Sequence, residues 1–557
     1  FFVIRFDKPF KTLNGWKGNS TQQNITNYGG DSLRIGAEYS LKKGDVIQMK
    51  TGMSYTSIAN ARNNLNTECT TWSFDEVKNS AQDLWNSWLG RMEVKGGTDA
   101  QQVKFYTDLW HVLLGRHKTN DVSGDYPDRT TGKREGTFTD AVFKIKRIPK
   151  DANGKLKFNM YNSDAFWLSH WNLNILWGLA WPEVMDDFSA SMIEYANNGY
   201  LLPRGPSGGG YSYIMTSSPT SNLIVSTYMK GLLTKVDAKH AYEVVKRNHL
   251  PGGMLGSAEE INFYTKHGYW PNNAGISIEA HFQDWGIAQM ASKLNRKKDV
   301  AFFTKRANGW PALFHPQHKL LFPKDEKGAF IHNDPLSGAG WVEANAWQAT
   351  WGLSHALPQL ANLMGGKDTF AKMLNFAFEQ SRASDYVFGY TEGYVSYANQ
   401  PGCSNAHVFS YVGKPWLTQY WVRRVQEQAY GGTTPDLGYG GHDEDQGQMG
   451  GVSALMSIGL FSVVGNQSQT PHYEITSPIF DEVIIKLDNR YYSGKEFRIK
   501  TNNNGYTKNY IQSAKLNGKE LNNFWFLHSD FAKGGTLELW LGEEPNKAWG
   551  SSQLPPL

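Results

Sequence analysis

The sequence predicts a mainly α-helical fold, a closed toroid of six helical hairpins or (α/α)6 barrel, with β-strands on both sides of it. Apolar residues recur at intervals of three and four from about residue 74 to about residue 463, which is the period of an amphipathic helix. About a dozen such segments occur, enough for six antiparallel pairs joined by short loops. Before and after this block, apolar and polar residues alternate, which is typical of strands.

Residues 1–60 read as strands and turns, in the stretches FFVIRFD, SLRIGAEYS and DVIQMKTGMSY, which Gly, Asn and Lys separate. We assign these residues to a β-sandwich. The chain begins within a strand-like alternation, without an initiator Met, a basic leader region or an apolar signal segment. We therefore expect a mature, trimmed or fragmentary chain.

The helical block is expected to span residues 61–463. Its helices are predicted near residues 74–94, 99–117, 163–180, 182–198, 220–234, 238–249, 276–294, 297–314, 344–364, 367–380, 405–429 and 445–463. In a toroid of this kind the loops at one end of the inner ring form a funnel, so residues that carry chemistry are expected in loops that precede helices.

Residues 464–557 return to strands, in the stretches YEITSPIF, EVIIKLD, EFRIKT, YIQSAKLNGKEL and TLELWLG. The pair Asn517-Gly518 predicts a β-hairpin, because both residues adopt the positive φ that a tight hairpin turn requires. We expect these strands and those of residues 1–60 to share one sandwich, since isolated strands would leave unpaired edges.

The composition excludes several classes of partner. Charged residues make up 19% of the chain, the net charge is +4, and no cluster of five or more Lys and Arg occurs, so we expect no nucleic-acid binding. No run of about 18 apolar residues is present, so no membrane span is predicted.

The cysteine and tryptophan content adds two further expectations. Cys69 and Cys403 could pair or remain free. The 20 Trp indicate an aromatic core, and their excess weakly favours a carbohydrate ligand, because sugar rings stack on Trp.

The stretch GGHDEDQGQMGG at 440–451 places Asp443, Glu444 and Asp445 in a row, beside His442 and between glycines. One interpretation is a capping cluster, because acidic residues are stabilised at the N-terminal end of a helix. The other is a functional site. In an extended segment Asp443 and Asp445 face the same way, and paired carboxylates raise each other's pKa or bind a cation. That property suits a catalytic base or a metal site.

Two further loops carry candidate residues. Glu343, in GAGWVEANAWQATWGL, precedes a predicted helix between Trp341 and Trp347. It is either a first-turn Glu stabilised by the helix dipole or a carboxylic acid in an aromatic pocket, whose raised pKa suits proton donation to a leaving oxygen. In SYANQPGCSNAH, Asn399 and Gln400 carry side-chain carbonyls that either belong to a turn or ligate calcium.

Five longer stretches occur in the order in which one known family has them. They read IEAHFQDWGIAQMASKLN, WVEANAWQATWGLSHALPQLANLMGG, YVGKPWLTQYWVRR, GHDEDQGQMGGVSALMSIGLFSV and TSPIFDEVIIKL. Together they resemble the catalytic domain of glycoside hydrolase family 92, the calcium-dependent exo-acting α-mannosidases. The likeness runs from about residue 40 to about residue 545 and so covers nearly the whole chain.

The resemblance implies an inverting, exo-acting α-glycosidase that removes sugars, mannose first, from glycan non-reducing ends. Glu343 lies at the position of the family's general acid, and Asp445 at that of the base that activates water, with Asp443 as a second candidate. Asn399 and Gln400 lie near the family's calcium site, and Asp445 completes the implied set of metal ligands. The family fold is an N-terminal β-sandwich followed by an (α/α)6 barrel, with the site between them.

Three departures from the family pattern concern the residues that hold the sugar and the metal. Residues 167–171 read WLSHW where the family has W-D-T-x-R, and residues 217–219 read SSP where it has G-D-H. Gln400 stands where the family often has Glu. We therefore expect a retained catalytic pair and altered sugar recognition. The candidate substrate-binding residues are Trp167, His170, Trp341 and Trp347.

Other functions remain open on the residues alone. The departures also fit an α-glycosidase of the same fold with a different terminal sugar, or a glycan-binding relative without activity, and sugar phosphorylases share the (α/α)6 fold. The family sandwich is longer than residues 1–60, so its N-terminal part is expected to be short or missing here. Because family members are mostly exported, we expect a periplasmic or extracellular protein.

Overall fold

A computed structural model describes residues 1–115, 117–163, 166–434 and 444–557 of the chain, without the side chain of Phe138. The chain forms two units. The first comprises Phe1–Asn86, Thr119–Pro127 and Ile145–Pro149, and the second comprises Ser87–Lys118, Asp128–Lys144 and Lys150–Leu557. The candidate site lies in the second unit.

The described part of the chain is mainly helical, as predicted. Its α-helices are α1 Ile58–Glu68, α2 Phe74–Leu89, α3 Asp99–Leu114, α4 Leu173–Ala180, α5 Pro182–Gly199, α6 Pro219–Met229, α7 Ala238–Asn248, α8 Ala258–His267, α9 Ala274–Lys293, α10 Lys297–Ala307, α11 Ala346–Ala349, α12 Leu357–Leu363, α13 Lys367–Ser381, α14 Pro415–Gln428, α15 Gln448–Ile458 and α16 His528–Phe531. The amphipathic segments predicted for α5, α7, α9 and α13 each end within about two residues of the observed helix.

The helix prediction differs from the structure in several places; helix α1, for example, lies in a stretch for which no helix was predicted. The segment predicted at 344–364 is broken into α11 and α12 by a 3₁₀ turn at Thr350–Gly352; α12 begins with a proline in its first turn, where the missing N–H costs no hydrogen bond. Helix α8 was not predicted. It begins with a capping box between Ser257 and Glu260, a local signal that the sequence did contain.

The described strands form several small sheets and one larger one. They are β1 Phe2–Phe6, β2 Thr12–Lys17, β3 Ser20–Gln22, β4 Leu33–Glu38, β5 Met49–Met53, β6 Met92–Lys95, β7 His117–Lys118, β8 Asp125–Asp128, β9 Lys144–Arg147, β10 Tyr161–Asn162, β11 Pro206–Ser207, β12 Gly210–Tyr211, β13 Phe314–His315, β14 Leu320–Leu321, β15 Leu460–Phe461, β16 His472–Ile475, β17 Glu482–Lys486, β18 Glu496–Asn502, β19 Tyr510–Leu516, β20 Lys519–Glu520, β21 Trp525–Leu527 and β22 Gly535–Gly542.

The largest sheet has the strand order β20-β19-β22-β18-β17-β6, in which β18 and β22 are parallel and the other neighbours antiparallel. The predicted hairpin is confirmed: Asn517 (φ 52°) and Gly518 (φ 77°) join β19 to β20. Strand β6 lies partly within a segment predicted to be helical, and it pairs with β17. Strands β1 to β5 pair among themselves in two sheets, β1-β5 and β3-β2-β4.

Helix α9 runs through the interior of the second unit, and most of its 20 residues are buried. Its Asp284 is fully buried and accepts hydrogen bonds from Arg306 Nε at 2.8 Å, Tyr264 OH at 2.9 Å and His249 Nδ1 at 3.0 Å. A buried carboxylate is tolerated when it is paired and its oxygens are satisfied. This network fixes the position of α9, and with it the other polar side chains that the helix carries.

The first unit contains β1, β5 and α1, with Asp121 as its polar centre. Asp121 accepts hydrogen bonds from Ser54 Oγ at 2.9 Å and Asn64 Nδ2 at 2.7 Å.

Cys69 and Cys403 both carry free thiols. Among the residues with described structure, no helix has both the length and the apolar content needed to cross a bilayer.

Candidate active site

Glu343 lies in the loop that leads into α11, and its backbone is strained. Its φ of 48° is in the left-handed region, which non-glycine residues seldom occupy. The loop is fixed by Asn345, which caps α11 by accepting from Gln348 N at 3.0 Å and donates to the carbonyls of Thr391 and Gly393, both at 2.9 Å. Strain of this kind persists only where surrounding contacts enforce it, and such residues cluster at functional sites.

Asn399 and Gln400 connect Glu343 to Asp445 through hydrogen bonds. Asn399 Nδ2 donates to Glu343 Oε2 at 2.9 Å, and Asn399 Oδ1 accepts from Gln400 N at 2.9 Å. The Gln400 side chain then donates through Nε2 to Asp445 Oδ2 at 2.6 Å. Two consecutive residues of one loop therefore orient both carboxylates that the sequence selected, although 102 positions separate them in the chain.

The two described acidic residues before α15 fit different interpretations: Glu444 caps the helix, and Asp445 contacts the candidate site. The Glu444 carboxylate accepts from Gly447 N at 2.7 Å and from Gly450 N at 3.4 Å, so Glu444 caps the helix, where a negative charge is stabilised. Asp445, with φ 48°, contacts Gln400 instead. His442 and Asp443 lie outside the described residues.

A narrow cavity lies beside the loops of Glu343 and Gln400. Its volume is about 40 Å³, and Val342, Ala344 and Pro401, which adjoin those two residues in sequence, are part of its wall. Three of the four predicted substrate-binding residues also line it: Trp167, His170 and Trp341. Trp347 is placed elsewhere, packed against Trp351, Phe376 and Tyr394.

His170 is buried in the cavity wall and stacks on Phe282, with ring centroids 4.5 Å apart. Burial lowers its pKa to about 3, because a desolvated site disfavours the charged imidazolium. His170 is therefore neutral at physiological pH. Neither of its ring nitrogens has a hydrogen-bond partner among the described residues.

Glu279 of α9 is a residue of the cavity that the sequence analysis did not single out. Its Oε1 accepts from Trp167 Nε1 at 2.8 Å and from Thr216 Oγ1 at 3.3 Å. Burial raises the pKa of the Glu279 carboxyl to about 7, an effect larger than the opposing hydrogen bonds. The sequence did contain a signal for Glu279: it is a carboxylate within ISIEAHF, a segment apolar enough to be buried on all sides.

The departures from the expected sugar-holding pattern lie at the same place. Leu168 lines the cavity and has a φ of 56°, which is unusual for a γ-branched residue. Ser218 N donates to Gln283 Oε1 at 3.0 Å, and Gln283 is a cavity residue as well. The altered positions are therefore next to the cavity and not scattered over the fold.

Residues 60–543 match the family model described as the glycosyl hydrolase family 92 catalytic domain. The chain belongs to glycosyl hydrolase family 92. The match covers most of the chain and confirms the family that the five sequence stretches indicated.

Solved structures of glycosyl hydrolase family 92 share the fold. A structure titled as an inverting mannosidase of the family from Bacteroides thetaiotaomicron is 25% identical, covers all of this chain and 75% of its own, and has a TM-score of 0.85. A family 92 α-mannosidase of the same organism in complex with mannoimidazole is 22% identical, with a TM-score of 0.85, over all of this chain and 72% of its own.

A curated relative is described as an uncharacterized secreted glycosidase of Arthroderma benhamiae. It is 23% identical, and the alignment covers 92% of this chain and 62% of the relative. The chain thus spans less than two thirds of the length of that relative.

Proposed function

We propose that this chain is the catalytic part of an exo-acting glycoside hydrolase that cleaves α-mannosides or closely related α-glycosides with inversion. The observation that carries the proposal is the hydrogen-bonded path from Glu343 through Asn399 and Gln400 to Asp445. It joins two carboxylates, and the chain neighbours of Glu343 and Gln400 line a cavity with Trp and polar side chains. The family has a solved member titled as an inverting mannosidase.

In the proposed mechanism Glu343 protonates the glycosidic oxygen while Asp445 removes a proton from the attacking water. Asn399 Nδ2 donates to Glu343 Oε2, so the proton for transfer is carried on Oε1. Gln400 fixes the plane of the Asp445 carboxylate through Oδ2. Water then attacks the anomeric carbon from the face opposite the leaving group, and the configuration inverts.

Calcium is the proposed cofactor. Gln400 Oε1 is buried and has no hydrogen-bond partner among the described residues, and it lies on the side chain that contacts the Asp445 carboxylate. An amide oxygen and a carboxylate are ligands that calcium accepts, with Asn399 adjacent. Groups of three or more His, Cys, Asp and Glu suited to a metal are absent from the described ranges, so sugar hydroxyls and water would complete the shell. A bound calcium ion would polarise the hydroxyls that it contacts.

The finer architecture and location are also proposals. We assign residues 61–463 to an (α/α)6 barrel, and residues 1–60 and 464–557 to β-rich segments of sandwich type. The succession of helices from α3 to α15 and the strands β16 to β22 support this division, although β6 pairs with β17 across it. Export to the periplasm or the cell exterior is supported by the curated relative described as secreted.

Stereochemistry tests the proposal directly. We expect the first product released from an α-mannoside to be the β-anomer, because an inverting site holds its carboxyls about 6.5–9.5 Å apart with water between them, against about 5–5.5 Å in a retaining site. Proton NMR in the first minutes of hydrolysis, before mutarotation, reads the anomer. An α-configured first product would mean that Asp445 acts as a nucleophile or that another residue does the chemistry.

Metal removal tests the proposed cofactor. Dialysis against a chelator is expected to lower kcat/KM by at least about tenfold, since loss of about 1.4 kcal/mol of transition-state stabilisation has that effect, and added calcium should restore it. Gln400→Glu should bind calcium more tightly by calorimetry, because ligand charge sets calcium affinity. Unchanged activity in chelator, together with no calcium heat for either protein, would remove calcium from the mechanism.

A further inference from the structure

Three buried polar side chains in the cavity beside Glu343 lack hydrogen-bond partners among the described residues. The atoms are Glu279 Oε2, both ring nitrogens of His170, and Asn222 Oδ1. Their side chains are at most 9% exposed, and all three line the same cavity. A buried polar atom without a partner is destabilising, so such atoms rarely occur together unless water or a ligand supplies the missing bonds.

The size and lining of the cavity restrict what can enter it. Its volume of about 40 Å³ holds about three water-sized groups, at roughly 10–15 Å³ each. Apolar surfaces from Trp167, Phe282 and Trp341 form much of its wall. A small group with an apolar carbon and a terminal hydroxyl fits this lining, whereas a whole sugar ring is too large for it.

The Glu279 carboxylate is held in a fixed orientation. Trp167 and Thr216 both donate to Oε1, so Oε2 is the oxygen left for a further donor. The Ser217 hydroxyl lies close enough to the Glu279 carboxyl to lower its pKa, but the two groups do not reach hydrogen-bond geometry. Because donors already occupy Oε1, a hydroxyl that enters the cavity finds its strongest acceptor at Oε2.

We propose that this cavity receives the hydroxymethyl arm of the terminal hexose, and that Glu279 determines specificity by accepting a hydrogen bond from the 6-hydroxyl. This inference rests on the proposed function. The hydroxymethyl arm is the one substituent of a hexose ring that projects a carbon before its hydroxyl, which matches an apolar wall with a carboxylate. The lining includes no Lys or Arg among the described residues, and a terminal sugar with phosphate or sulfate at O6 is too large for the cavity.

The proposal is tested by combining a change in the enzyme with a change in the substrate. The enzymes are wild type, Glu279→Gln and the control Glu474→Gln; the substrates are 4-nitrophenyl α-D-mannopyranoside and its 6-deoxy analogue. Glu474 is a matched control because it is also buried, has a pKa raised to about 7, and accepts from Tyr411 OH and Val463 N at a place outside the cavity wall.

In wild type, kcat/KM is expected to be about 10- to 100-fold lower for the 6-deoxy substrate, the usual effect of losing a hydrogen bond to a charged group. In Glu279→Gln this ratio should fall to within about threefold, because non-additivity of the two changes reports direct contact. Glu474→Gln should keep the wild-type ratio. The same ratio in wild type and Glu279→Gln would overturn the proposal and would assign the cavity to ordered water only.

Wild-type protein alone gives a second test, should Glu279→Gln fail to fold. The groups around Glu279 are Arg204, whose charge lowers the carboxyl pKa, and His170, which burial keeps neutral. The wild-type preference for the 6-hydroxyl substrate should therefore be larger above pH 7, where Glu279 is ionised, than below it. A preference under about threefold at every pH would contradict the proposal. If wild type hydrolyses neither an α-mannoside nor another aryl α-glycoside, the proposed function fails, and this inference fails with it. If wild type does hydrolyse one of them, the inference is decided separately by the comparison of the 6-hydroxyl and 6-deoxy forms of that substrate.

Discussion

Replacing Asp445 by Asn is expected to lower kcat on a natural α-mannoside by at least about 100-fold, the lower end of the effect of a positioned acid or base. Asn has nearly the same shape and keeps a carbonyl oxygen for Gln400 Nε2, which now donates to Asp445 Oδ2. The change therefore removes the proton acceptor and leaves the loop in place. Steady-state kinetics with a glycan substrate measures the loss.

Glu343→Gln is expected to lower kcat by a similar factor, with one difference that identifies the acid. An aryl glycoside with a good leaving group needs little protonation, so it should recover much of the lost rate in Glu343→Gln. It should recover little in Asp445→Asn, because activation of water is still required. Equal recovery in both variants would contradict the assignment of separate acid and base roles.

Glu444→Gln is the matched control for these substitutions. Glu444 adjoins Asp445 but accepts from the N–H groups of Gly447 and Gly450. The change removes a negative charge at the N-terminal end of α15 and is expected to cost about 0.3–1 kcal/mol of unfolding free energy, with little change in kcat. Near-wild-type rates on glycan for both Glu343→Gln and Asp445→Asn would show that the catalytic pair is wrong.

We expect kcat/KM on α-1,2-mannobiose to be low. It should be lower by a factor on the order of 10²–10³ than in an enzyme whose site makes all of its sugar contacts. Leu168 and Ser217-Ser218-Pro219 stand where charged acceptors are expected, and a sugar hydroxyl buried without a partner costs roughly 1–3 kcal/mol. Two such losses give that factor at about 1.4 kcal/mol per tenfold change. The contact proposed at the 6-hydroxyl does not restore a preference for mannose, because hexoses of every ring configuration carry a 6-hydroxyl.

Leu168→Asp tests this explanation. The backbone of Leu168 is left-handed, with φ 56°, and Asp adopts that conformation more readily than Leu does, so the substitution relieves strain while it adds an acceptor to the cavity wall. It should raise kcat/KM on mannobiose by about tenfold or more.

A panel of aryl α-glycosides should include a better substrate for wild type than the α-mannoside. A wild-type kcat/KM on mannobiose within about 10⁴–10⁸ M⁻¹s⁻¹, the usual range for enzymes, would show that sugar recognition is intact.

Local patterns in the sequence determined most of the helices, and the resemblance to a known family selected the two catalytic candidates. Periodicity indicated α5, α9 and α13 because each buries a face that recurs every three or four residues. The acid-bearing loops of Glu343 and Asp445 were recognisable because carboxylates between glycines or Trp are unusual in a chain of low charge. The turn at Asn517-Gly518 was predictable because its positive φ values are a property of those two residues.

The tertiary structure decided which distant residues meet. Strand β6 pairs with β17, nearly 400 positions later, and such pairing depends on partners that no local window contains. Glu279 gains its raised pKa and its bond to Trp167 only when α9 is buried, because desolvation is a property of the packed interior. The resemblance to the family implied a metal near Asn399 and Gln400, but only the folded loops show that these residues orient Glu343 and Asp445. A hydrogen bond depends on distance and angle, which the order of residues does not specify.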